Sequence, residues 1–415
     1  MLKPVTAVDD AAMQVRGSNH AGMRQFNERI VLQAIRLHGP TPKAELARLT
    51  QLSKQTVSVI VERLLEDGLL TKCDRLRGGI GQPSVPLALD PQGAFSIGVQ
   101  VGRRSLEMLV ADFLGGTTHH ETLHYEQPDP DIILPEVATR LRRLRRQLGD
   151  RWSRVVGLGL AAPLAMHQWG DLLGAAAAPV LARWESIDLR ERVQAMTELP
   201  VVFARDTVAA CTAELVQGIG QRRHDFLYIF VGTFVGGGLV LGGHLVSGPQ
   251  GNAGAIGSMP LSVAPVNRPS GESAPPPAQL LERASGWTLE QSLREAGLNP
   301  LRAHDDSIMA PELADWVQPW LSDAAAALAM VATSATALLD LDSVIVDGSL
   351  APALLAELTT RTGHAMARYR QAGIRHPTLL RGEIGAHARA LGGALLPLHT
   401  QFFPDRAIFL KQDLA

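Results

Sequence analysis

Two groups of residues in this sequence have types and spacing that could do chemistry. The first is a glycine run. Residues 228–231 are apolar and strand-like, Gly232, Gly236, Gly237 and Gly238 follow, and an apolar strand then resumes. Glycines this dense let a backbone approach a ligand closely or turn with positive φ. That is the chemistry of a phosphate or sugar cradle, so phosphoryl transfer is the first reaction to consider. The second group is polar. Lys54, Gln55 and Ser58, with Thr56 beside them, offer an ammonium, an amide and hydroxyls at helical spacing. Such groups reach base edges and phosphates from the start of a recognition helix. Arg75, Arg77 and Gln82 follow in a glycine-rich stretch, suited to the DNA backbone or minor groove.

The elements that must position the polar group are legible. Residues 27–38 place Ile30, Val31, Ala34 and Ile35 on one helical face, and Gly39-Pro40 stops that helix. Thr41 is expected to cap a second helix with Pro42 at its first position. Ser53 caps a third, with Val57, Ile60, Val61, Leu64 and Leu65 as its apolar stripe and Gly68 beyond its end. Residues 69–73 and 84–89 read as paired strands, and the arginine-bearing segment between them is a wing. Residues 19–90 therefore form a winged helix-turn-helix, and their ten Lys/Arg against seven Asp/Glu make the segment net +3.

From Ala94 the pattern changes. Phe95, Ile97, Val99 and Val101 alternate, as do Leu106, Met108 and Val110, giving a buried hairpin. Leu134, Val137, Leu141, Leu144 and Leu148 stripe a helix whose arginine-rich face is read as solvated. Strands are expected over 155–161 and 201–204, helices over 187–196 and 207–216. The unit from Phe226 repeats the strand–turn–strand opening, which suggests a duplication. Helices are expected over 285–296, 312–339 and 354–370, a strand over 343–346, and a last glycine turn and helix over 385–396. Residues 263–277 are a Pro/Ser/Gly-rich loop. Alternating strands and helices with ligand loops at strand ends give an α/β class. The expected domains are a disordered tail (1–18), the winged domain (19–90), a first lobe (91–215), a second lobe (216–384), and a C-terminal helix returning to the first lobe (385–415).

Bulk composition narrows the classes. A net charge of −2 over 415 residues excludes a chain-wide polyanion binder but not a local basic patch. Cys73 and Cys211 are too few for a disulfide scaffold or a Cys-rich metal site, so a reducing cytoplasm is the expected home. No stretch reads as a membrane span, and residues 1–18 do not read as a signal peptide.

The chain from Asn27 onward resembles the ROK family (repressors, open reading frames and sugar kinases), specifically its regulator branch. The resemblance rests on NERIVLQAIRLHGPTPKAELARLTQLSKQTVSVIVERLLEDGLL, GQPSVPLAL and FSIGVQVG. It implies a two-lobed actin-like, ribonuclease-H-like body with a sugar in the interlobe cleft. Set against the kinase branch, the first phosphate loop reads Gln100-Val101-Gly102-Arg103-Arg104, with Gln for Asp and Arg for Thr. Gln cannot help hold metal-bound phosphates as Asp does. The family's Glu-Asn-Asp reads Ala204-Arg205-Asp206, so the kinase base is kept at Asp206. Residues 232–238 match the second phosphate loop, and Asp347-Gly348 fall at a further glycine turn. The sugar motif reads Ala253-Gly254-Ala255-Ile256-Gly257-Ser258, without its Glu and His, and Val180 replaces an Asn. The zinc-binding Cys cluster is missing, so no metal and no cofactor are expected.

The resemblance thus implies a transcriptional regulator and not an enzyme, with an ATP-dependent sugar kinase carrying an accessory N-terminal domain as the alternative that Asp206 and residues 232–238 keep open. Asp206, Gly236, Gly237, Gly254 and Glu282 would be its ligand contacts, and a sugar or sugar derivative its effector. Operator DNA would be its partner, bound by a homodimer or homotetramer. Asp206 could equally cap the helix at Thr207, and Glu282 could be a solvated helix residue.

Overall fold

Residues 27–38 form a helix because Val31, Leu32 and Ile35 recur at helical spacing and are buried on one face. It begins earlier than the pattern shows, as α1 (His20–His38). Thr41 does not cap the next helix. Thr41 and Pro42 form a short strand, β1 (Thr41–Pro42), paired with Leu87 and Pro86, and Thr41 donates its hydroxyl to Gly39 O at 2.8 Å. Helix α2 (Lys43–Thr50) starts one residue after the proline. Ser53 does cap α3 (Lys54–Glu66), accepting Thr56 N–H at 3.1 Å, and Gly68 takes φ +71° past its end. Strands β2 (Leu70–Lys72) and β3 (Pro86–Leu89) pair antiparallel, completing a three-stranded sheet in the order β1-β3-β2.

The computed structural model describes residues 20–74, 85–175, 177–262, 277–370 and 372–404. The expected tail (1–18), the wing residues Arg75, Arg77 and Gln82, and most of the Pro/Ser-rich loop (263–276) lie outside these. The chain divides into two units. The first comprises Met1–Leu160, Ala165–Phe203 and Ala394–Ala415; the second comprises Ala161–Leu164 and Ala204–Gly393.

In the first unit, β4 (Phe95–Val101) is buried along its whole length and lies at the centre of a five-stranded sheet. It pairs antiparallel with β5 (Ser105–Asp112), and β5 with β6 (Thr117–His124). Helix α4 (Pro130–Leu148) buries its leucine stripe, and Arg140 and Arg143 both bind Glu121 on β6 rather than standing wholly in water. Next come β7 (Val155–Ala161), the short helices α5 (Gly170–Leu173), α6 (Ala178–Ala182) and α7 (Leu189–Gln194), and β8 (Val201–Ala204). The sheet order is β6-β5-β4-β7-β8.

The second unit opens with α8 (Asp206–Gln217) and β9 (Phe226–Val231). Strands β10 (Val235–Leu241) and β11 (His244–Val246) follow antiparallel, then α9 (Leu280–Ala284), α10 (Gly286–Glu295) and α11 (Ala314–Leu339). Strand β12 (Ser343–Gly348) lies parallel to both β9 and β13 (Thr378–Arg381), with α12 (Pro352–Met366) between β12 and β13 in sequence. Helix α13 (Ala388–Phe402) ends the described chain. The sheet order, β11-β10-β9-β12-β13, repeats that of the first unit. By length and composition alone, Pro311–Leu339 is apolar enough to cross a membrane. Its Val317, Leu321, Leu328 and Val331 nonetheless pack in the core of this unit with Leu354 and Leu358 of α12, as a core helix does.

Candidate functional site

The start of α3 presents the polar group. Lys54 and Gln55 are exposed, and neither side chain has a hydrogen bond or ion pair among the described residues. The other two expected contacts are held within the domain. Thr56 Oγ1 lies 2.8 Å from Ser53 Oγ, and Ser58 Oγ accepts from Lys43 Nζ at 3.2 Å. Lys43 also reaches Glu62 at 3.4 Å, which ties α2 to α3. Arg63 of α3 pairs with Glu28 of α1 at 3.0 Å. Helix α3 is thus linked to α1 and α2 by ion pairs as well as packed by its buried stripe.

A joint between α1 and the rest of the first unit was not legible in the sequence. The Arg36 guanidinium lies 4.6 Å from the Phe403 ring centroid and 5.5 Å from that of Phe113. Burial pushes its pKa down to about 10, which marks how far it is desolvated. Arg29 donates to Phe403 O at 3.1 Å, and Phe113 meets Phe402 edge-on. A cavity of about 310 Å³ opens at this joint, lined by Glu28, Arg29, Asp67 and Phe402 among others.

In the second unit the structure brings most of the glycine group and Asp206 together. Asp206 is the first residue of α8. Its Oδ1 accepts Thr207 N–H at 2.9 Å, and its Oδ2 lies 3.5 Å from Arg389 of α13. Gly236, Gly237 and Gly238 are not in a loop; they lie in β10, and none has positive φ. Their lack of a Cβ serves close approach. A Cβ on Gly236 would stand 2.8 Å from Thr207 Cγ2, and one on Gly238 would stand 2.5 Å from Cys211 Cβ. Helix α8 thus lies directly on the strand, and Thr207 Oγ1 donates to Gly237 O at 3.1 Å. Gly254 has φ +74°, and a Cβ there would stand 2.8 Å from Gly238 Cα. Arg205 joins the same turn, donating to Ala253 O at 2.6 Å. Glu282 is exposed on α9, where it accepts Gln279 N–H at 3.0 Å in a capping box. Among the described residues it makes no hydrogen bond to the Asp206 group.

Two buried carboxyls lie beside this group, Asp347 and Glu214. Asp347 accepts from Tyr228 OH at 2.9 Å, Gly348 N at 2.8 Å and Gly385 N at 3.1 Å. Glu214 accepts from Ile219 N at 2.7 Å and Glu383 N at 3.2 Å. Burial, reinforced by the Asp347 charge and opposed by these N–H donors, pushes the Glu214 carboxyl up to about 7. Burial likewise raises Asp347. Together they clamp residues 383–385, just ahead of α13. A lone Glu within an alanine-rich helix was the available sequence signal for Glu214. In the first unit Gln100 is fully buried with neither amide atom hydrogen-bonded among the described residues. Such a group ordinarily costs about 1–3 kcal/mol.

A helix-turn-helix with paired strands precedes, in sequence, two α/β sheets of identical strand order. The chain belongs to the ROK family, whose model matches residues 96–399, and a MarR family model matches residues 25–77. It is 22% identical over 239 residues to the xylose repressor of Bacillus subtilis (strain 168), a match covering 58% of this chain and 61% of that protein. The chain thus spans about three fifths of that repressor's length. The fold is similar to that of a ROK family transcriptional regulator described as a homolog of the E. coli MLC protein. That match has a TM-score of 0.64 at 18% identity and covers 92% of this chain and 98% of the other. It is also similar to that of a ROK hexokinase from Thermus thermophilus, with a TM-score of 0.51 at 23% identity, covering 72% and 97%.

Proposed function

We propose that this protein is a DNA-binding transcriptional repressor whose ROK body binds a small effector, a sugar or sugar derivative. The observation that carries the reading is the capped start of α3, with Lys54 and Gln55 exposed on a helix packed by its buried stripe within a winged domain. Relatives named as xylose repressors support it. Lys54 and Gln55 contact DNA from the helix, Thr56 and Ser58 lie beside them with their hydroxyls engaged by Ser53 and Lys43, and Arg75, Arg77 and Gln82 are the further DNA contacts. Asp206, Gly236, Gly237, Gly254 and Glu282 form the ligand wall. Effector binding changes operator affinity only through differential affinity for two states of the protein. Recognition of paired half-sites needs a homodimer or homotetramer.

The test is a mobility-shift titration against the gene's own upstream DNA over a range of salt. Lys54→Ala weakens binding to all sequences and lowers the salt slope by about one. An unchanged slope would remove α3 from the interface.

The retained Asp206 supports a second reading, an ATP-dependent sugar kinase. Gln100, Arg104, Ala255 and Ser258 speak against it, because the charge and hydroxyl that hold phosphates and the groups that hold sugar are gone. Incubation with Mg-ATP and a hexose panel gives no phosphoryl transfer on the repressor reading. Turnover abolished by Asp206→Asn would establish the kinase.

A further inference from the structure

Singly exposed apolar residues are ordinary on protein surfaces, and Leu37, Leu301 and Leu338 are examples here. Val59 differs in its position. It is 63% exposed in the interior of α3, one turn beyond Gln55 on the same face. A β-branched residue lowers helix propensity, and at this exposure it recovers little by burial. Nothing in the packing of the domain calls for valine. The neighbours explain what the face lacks instead. Ser58, the hydroxyl beside Val59, is held by Lys43, and Thr56 is held by Ser53. The side chains left standing outward on the first two turns are an ammonium, an amide and an isopropyl group.

We infer that Val59 is a specificity-determining residue that packs against the C5-methyl group of one thymine in each half-site. The inference rests on the repressor reading. In the major groove only the A·T pair carries a methyl group, and an apolar side chain is the complement to it. Gln55, one helical turn earlier, has the bidentate amide that pairs with adenine N6 and N7. The two side chains then read adjacent features of the duplex, one by hydrogen bonds and one by apolar contact. Lys54 supplies a phosphate contact without sequence information.

The experiment uses the full chain. A preferred half-site is obtained by in vitro selection, and each dT in it is replaced in turn by dU, which removes the methyl group and nothing else. At one position per half-site the wild-type protein loses about fourfold in affinity, the value of one methyl group taken from water. In Val59→Ala, whose single methyl reaches less far, the loss at that position shrinks, while Val59→Ile keeps the full sensitivity. Alanine at an exposed helix position favours the fold, so the thermal midpoint of Val59→Ala does not fall. If selection returns no preferred sequence, the repressor reading falls and this inference with it. If a sequence is preferred but wild type and Val59→Ala respond alike to dU at every position, this inference alone is overturned.

Discussion

At the scale of single residues, the two readings offered for Asp206 and Glu282 have physical content. Asp206 accepts the Thr207 N–H at the first turn of α8, and Glu282 completes a capping box, so each stabilises a helix start whatever else it binds. Glu214 has a consequence for pH. Its carboxyl is raised to about 7 from an ordinary 4.5, chiefly by burial, so the folded state holds the proton more tightly than the unfolded chain. Its contribution to stability is fully present below about 4.5 and is lost as pH rises through about 7. Thermal midpoints of wild type and Glu214→Gln measured from pH 4.5 to 8 check this. Wild type loses ground to the variant as pH rises, and parallel curves would show that Glu214 does not titrate in this range. Glu214 was not legible in the sequence because part of its significance lies in the N–H of Glu383, contributed by a distant part of the chain.

At the scale of elements, periodicity carried far where one face is buried. The α3 stripe, the Ser53 cap, the alternation of β4 and β5, and the leucine face of α4 were all legible because burial dictates residue type at fixed spacing. Strand β6 was not, since TTHHETLH lies at a sheet edge, largely exposed, and has no apolar pattern to read. Thr41-Pro42 was misread because a cap and a short strand share the same local chemistry, and pairing with Pro86 and Leu87 decides between them. The glycines of β10 show the same limit. Their density reads as a close approach to a ligand or a positive-φ turn, whereas helix α8 lies against Gly236 and Gly238 and none of the three has positive φ. Gly238→Ala drives a Cβ to 2.5 Å from Cys211 Cβ. Overpacking of this kind destabilises by about 1–3 kcal/mol, and denaturant titration checks it. An unchanged midpoint would mean that α8 can withdraw from the strand.

At the scale of the molecule, the repeated strand order of the two sheets bears out the duplication read from the two strand–turn–strand openings. The ROK body and the winged domain were both legible in the sequence, because order and spacing of several segments agreed at once. The effector was not legible. Gln100, Ala255 and Ser258, read by resemblance as departures from the kinase pattern, do not say which molecule is bound. The central claim is that the chain represses through sequence-specific DNA binding answered by a small ligand. One measurement tests it most directly: fluorescence anisotropy of the full chain on its own upstream DNA and on shuffled DNA at physiological salt, with and without the saccharide that most raises its thermal midpoint. The account predicts at least about 10³-fold tighter binding to the native sequence and a loss of that binding when the saccharide is added. Equal affinity for native and shuffled DNA, unmoved by any saccharide, would contradict it.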